Sequence, residues 1–91
     1  MPAIDIKRSH SLTLAEARAK VQRVADHIAK KFDVACTWEG NVLHFRRSGV
    51  DGQIRVSAKQ VHVVAQLGFL LSALRGTVER EVNRYLDEEF A

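Results

Sequence analysis

The sequence predicts an α+β fold: a two-layer sandwich, with an antiparallel meander of four or five strands covered on one face by two helices. Three observations predict it. Apolar residues recur at three- and four-residue spacing in two segments, Leu14 to Phe32 and Leu67 to Leu86. Between these segments, and ahead of the first, apolar and polar residues alternate with period two. The links between the alternating runs are short and carry Gly, Asn, Asp and Ser, as hairpins require.

The elements follow in order. Ile4 and Ile6 oppose Asp5 and Lys7, which gives a short strand. Thr13 followed by Glu16 is a capping box, so the first helix starts near Leu14. Its buried stripe is Leu14, Ala17, Val21, Val24, Ile28 and Phe32, and its wet face carries Arg18, Lys20, Arg23, Lys30 and Lys31. Val34, Cys36 and Trp38 then alternate with polar or small residues up to a turn at Glu39–Asn41. Leu43 and Phe45 form the next strand, and Ser48–Gly52 reads as a second turn. Ile54 and Val56 follow, then a turn around Ala58–Gln60, then Val61, Val63 and Ala65. The opposite sheet face presents His44, Arg46, Gln53, Arg55, His62 and Gln66. Such a one-sided sheet needs cover, and the two helices supply it. Gly68 marks the junction to the last helix, expected from about Phe69, with Leu71, Leu74 and Val78 in its core stripe. Gly76 then falls inside that helix, at a cost of about 1 kcal/mol against Ala.

Ninety-one residues suit one domain, residues 1–91, and a chain this short buries roughly 60–65% of its unfolded surface. The lone Cys36 excludes an intramolecular disulfide and a Cys-rich metal site, and reads as a small buried apolar residue. Met1–Ser11 has no apolar signal-peptide core, and the longest apolar run is too short for a membrane span. A cytoplasmic protein without a transmembrane segment is the expectation. The net charge of +3 hides an asymmetry: residues 1–75 carry +6 and residues 76–91 carry −3. A basic body can attract polyanions, or it can pair with the acidic tail of another subunit.

No residues announce a reaction. The chain lacks a nucleophile elbow, a P-loop and a dinucleotide fingerprint. His10, His27, His44 and His62 show no ligand spacing on one helix, and adjacent Asp26 and His27 point in different directions. The sequence therefore predicts no enzyme, no cofactor and no metal.

Two binding classes compete. Arg18, Lys20, Arg23, Lys30 and Lys31 on the helix, with Arg46, Arg47 and Arg55 on strands, are candidates for a polyanion surface. The element order is close to that of ribosome hibernation factors, which keeps an RNA- or ribosome-binding module in view. Against it, the sheet offers no exposed aromatics for base stacking, and the apolar start of the last helix departs from the Lys-rich start in double-stranded RNA-binding domains. The other class is apolar. The stretch "AQLGFLLSALRG", Ala65 to Gly76, is the densest apolar run in the chain. On a helix from Phe69, the residues Phe69, Leu70 and Ala73 fall partly outside the core stripe and would form a patch for a second copy or an apolar particle. A hydrophobic-ligand module, with a ligand between the layers against Trp38, Phe45, Leu71 and Leu74, is the remaining alternative.

The whole chain carries a resemblance. "IDIKRSHSLTLAEARAKVQRVADHIAKKF", "TWEGNVLHFRRSGVDGQIRVSAKQVHVVAQLGFLLSAL" and "VEREVNRYLDEEF" show an H-x-L lead into a helix rich in Glu-Ala and Lys, a W-x-G hairpin, a G-x-I-x-V strand and a final acidic helix. This pattern resembles the small polyhydroxyalkanoic acid system proteins of bacteria, whose genes often lie near those for polyester synthesis and granule proteins. The resemblance implies a pathway rather than a chemical step, and it transfers no functional residue to this chain. Joined to the apolar stretch, it implies a non-enzymatic accessory protein at storage granules. Phe69, Leu70 and Ala73 would touch the granule surface or a granule-associated protein, with Arg75 at the rim. A homodimer is the other candidate partner for the same patch.

Overall fold

The computed structural model describes residues 4–69 and 71–90. Its elements run β1 (Ile4–Ser9), α1 (Leu14–Phe32), β2 (Ala35–Glu39), β3 (Val42–Arg47), β4 (Val50–Val56), β5 (Gln60–Leu67) and α2 (Arg75–Phe90). One 3₁₀ turn, Ser72–Leu74, leads into α2. Among the described residues, five strands form one antiparallel sheet in the order β1-β5-β4-β3-β2. This is the predicted α+β sandwich, in the predicted element order.

Local chemistry explains the boundaries. Thr13 Oγ1 accepts from the Glu16 N–H at 3.1 Å, and the Glu16 carboxylate reaches back to the Thr13 N–H, closing the capping box that starts α1. Asp33 ends the helix in the left-handed region at φ 55°. The β2–β3 hairpin turns through Gly40–Asn41, with Gly40 at φ 61° where an L side chain would be strained.

The helices lie side by side on one face and run antiparallel. At one end Lys31 sits 3.7 Å from Glu81; at the other, Lys20 and Arg23 flank Glu89 at 4.0 and 3.4 Å. His27 stacks on Tyr85 between these ends, ring centroids 4.9 Å apart. Arg8 on β1 pairs with Asp87 and donates to Asn83 Oδ1 over 2.9 Å. The acidic tail is thus matched to the basic body within one chain, where charge counting alone left subunit pairing open. Ile4, Val21, Val24, Leu43, Ile54, Val61 and Leu86 are fully buried between the layers.

Two expectations need correction, besides Leu14, which is 38% exposed at the first position of α1 and not part of its buried stripe. The last helix begins at Arg75, not near Phe69. The Gly68 carbonyl accepts the N–H of both Leu71 and Ser72, and Ser72 Oγ donates to the Phe69 carbonyl over 2.7 Å. These bonds spend the first apolar residues on a turn that lifts the chain from the sheet to the helix layer. Leu71 is therefore only half-buried and Leu74 is 47% exposed, so neither is ordinary core. The second correction is Gly52. The β3–β4 turn is confined to Ser48–Gly49, and Gly52 sits within β4, buried and facing the helices.

Candidate functional site

Register explains where the sandwich is hollow. The inward-facing row Trp38, Leu43, Ile54, Val63, Ile6 crosses all five strands with a large or branched side chain at each step. The next inward row reads Cys36, Phe45, Gly52, Ala65, Ile4. Its two central positions carry almost no side chain. They are also close-set: a Cβ on Gly52 would stand 3.0 Å from the Ala65 Cβ. Interiors normally fill such space. Here a cavity of about 230 Å³ remains over Gly52 and Ala65.

Ile28 and Phe32 at the end of α1 and Val78 and Val82 on α2 form the helix side of this cavity. Leu71 and Leu74 border it from the turn after β5. The lining is mostly apolar, with Lys31, Asp33 and Arg47 as its charged members. Arg47 Nη1 donates to the Phe32 carbonyl over 2.7 Å, which ties the end of β3 to the end of α1 across the layers. Of the four residues predicted to hold a ligand between the layers, Phe45, Leu71 and Leu74 do line this space. Trp38 does not. Its Nε1 donates to Gln22 Oε1 over 2.6 Å, and the Arg18 guanidinium lies 4.5 Å from its ring centroid. Gly52 is not recognisable as a site residue from sequence, and Arg47, a polyanion candidate there, instead borders this cavity. A glycine inside a strand, at a position where the alternation calls for an apolar side chain, is the one available signal.

Beside the cavity the turn presents Phe69, 92% exposed. Ala73 and Arg75 are also exposed and follow it closely. The expectation for Leu70 lies outside the described residues. The turn is held firmly: the Gly68 N–H donates to the Gly49 carbonyl over 2.7 Å. Phe69 is thus an exposed aromatic on a backbone-bonded turn, and Leu74, 47% exposed, follows five residues later.

The cationic candidates are dispersed. Arg18, Lys20, Arg23, Lys30 and Lys31 belong to the helix layer, whereas Arg46 and Arg55 point from the opposite face of the sheet. Lys20, Arg23 and Lys31 already have carboxylate neighbours. On the open sheet face His62 lies 2.5 Å from Asp5, and His44 lies 3.7 Å from Glu39. His10 accepts the Leu12 N–H on Nδ1, which leaves Nε2 to donate to the Ser57 carbonyl over 2.8 Å. The Cys36 thiol is half-buried, and burial, reinforced by Asp26, pushes its pKa up. Among the described residues no three His, Cys, Asp or Glu side chains gather as a metal ion would need, and no helix is long and apolar enough to cross a membrane.

The family model described as Putative polyhydroxyalkanoic acid system protein matches residues 4–90. The chain belongs to this family. The match runs through the sheet, both helices and the turn between them, so the cavity and Phe69 lie inside the matched span. Membership associates the chain with the polyhydroxyalkanoic acid system. No curated protein matches the chain, and no solved structure does.

Proposed function

We propose that this chain is a non-enzymatic accessory of the polyhydroxyalkanoate system that docks on the apolar polyester surface of the storage granule. The observation that carries this reading is Phe69, 92% exposed on a turn held by the Gly68–Gly49 hydrogen bond. Leu74 adds a second, partly exposed apolar contact, and Arg75 stands at the rim. A contiguous exposed apolar patch marks a surface that a partner covers, and Phe69 with Leu74 is the patch this reading requires.

The magnitudes suit reversible attachment. Inserting Phe69 and covering the rest of Leu74 is worth roughly 3–5 kcal/mol, which corresponds to a dissociation constant near the millimolar range. A polyester surface presents many equivalent positions, so a weak single contact still gives partitioning. It also makes attachment sensitive to one side chain.

Co-sedimentation with two particle preparations tests the reading. Purified granules carry their protein coat; polyester particles stripped of protein do not. Docking on polyester predicts that the chain pellets with both. Pelleting with coated granules alone would move the partner from polyester to a coat protein, and pelleting with neither would end the granule reading.

A further inference from the structure

We propose that the cavity over Gly52 and Ala65 is a binding site for a medium-chain alkanoic acid, with the chain between the layers and the carboxylate at the rim beside Arg47. The register shows that the space is a property of the fold. It is left by two adjacent small residues, Gly52 and Ala65, flanked in their row by Phe45 on one side and Ile4 on the other. Filling Gly52 is obstructed by the Ala65 Cβ at 3.0 Å and the Val64 carbonyl at 3.1 Å, so the sheet keeps the hollow open.

Size sets the chain length. An apolar protein cavity of about 150 Å³ takes up benzene. At that ratio a volume of 230 Å³ holds roughly nine carbons. The length of chain that this space can cover is therefore close to that of decanoate.

Charge sets the head group. Arg47 offers five N–H donors and commits Nη1 to the Phe32 carbonyl, so the remainder of its planar fork can meet a carboxylate. Lys31 also borders the cavity, although Glu81 at 3.7 Å shares its charge. Asp33 is the opposing charge on the rim, which makes Arg47 the group that must hold the acid. The site stands on the cavity alone and does not depend on granule docking by Phe69, which is not among the lining residues.

The test is an NMR titration of the full chain with hexanoate, octanoate, decanoate and tetradecanoate, each below its micelle concentration. The expected result is saturable binding whose affinity rises up to decanoate and rises no further at tetradecanoate. Ala65→Leu, which fills the hollow, should weaken decanoate at least about tenfold, and Arg47→Gln should weaken decanoate about tenfold while leaving decanol unchanged. Phe69→Asp should bind decanoate as wild type does. Absence of saturable binding, or affinity that climbs steadily through tetradecanoate, would overturn the site without reference to any variant. A folded Ala65→Leu chain that binds normally would also overturn it. Equal binding of decanoate and decanol by wild type would show that no acid is recognised.

Discussion

The Gly68 N–H donates to the carbonyl of Gly49 over 2.7 Å, and the two backbones are packed so closely that a Cβ on Gly68 would sit 3.2 Å from the Gly49 Cα. This contact fixes the turn carrying Phe69 against the β3–β4 hairpin. Gly49 itself stands at φ 84°, where an added Cβ would also meet Leu71 Cδ1 at 3.1 Å. Gly40 shares the positive φ but has open space around it. Both Gly→Ala substitutions carry a backbone cost of about 1–2 kcal/mol. Gly49→Ala should cost measurably more than Gly40→Ala in urea unfolding. Equal costs would mean that the turn is not packed on the hairpin as described.

Leu86 and Asp87 are sequence neighbours with different expected weights. Leu86 is fully buried on the inner face of α2, so Leu86→Ala should destabilise by about 2–5 kcal/mol. Asp87 pairs with Arg8 at the surface, and Asp87→Asn should cost under about 1 kcal/mol. The two midpoints under denaturant check this. A larger loss from Asp87→Asn would make the charge pairing, rather than the apolar core, the element that holds α2.

Cys36 should react slowly. Burial raises its pKa in the folded state, so less thiolate is available than in the unfolded chain. Alkylation near about pH 8 should be at least about tenfold slower in the native chain than in urea. The linkage has a definite sign. The folded thiol holds its proton more tightly, so its contribution to stability is present below the unfolded pKa and is lost as pH rises towards the folded one. Equal alkylation rates would show that the thiol is exposed.

Salt separates apolar docking from polyanion binding. Attachment through Phe69 should persist or strengthen in sulfate, because excluded salts favour apolar burial. Attachment through the dispersed cations would fall steeply as salt rises. Pelleting with polyester particles across a sulfate series reads the difference, and a steep loss would contradict the apolar account.

If Phe69 awaits a particle and not a second copy, light scattering should give the monomer mass of 10.2 kDa. A stable dimer that buries Phe69 would remove the residue from any docking role.

The period of the apolar residues carried most of the fold. Leu14 to Phe32 spells a helix cleanly because Thr13 and Glu16 also mark its start, and the strand alternations set the sheet. Three features were not legible. Gly52 lies among turn-forming letters, and only the pairing with Phe45 and Ala65 reveals it as a strand residue opening a cavity. Residues 69–74 fit a helical stripe, yet the hydrogen bonds to Gly68 and Gly49 win and delay the helix to Arg75. The acidic tail announces a charge but not its direction, since pairing with Arg8, Lys20, Arg23 and Lys31 needs the antiparallel helix pair to exist first. The sequence places Phe69 on a helix as a patch residue, and the structure places it exposed on the turn before that helix.

The central claim is that Phe69 carries the attachment to polyester. The most direct measurement is the fraction of folded Phe69→Asp chain that pellets with protein-free polyester particles, set against wild type. The account predicts that wild type pellets and the variant stays in the supernatant, with its unfolding midpoint little changed because Phe69 supports no core. A folded variant that pellets as well as wild type would contradict it.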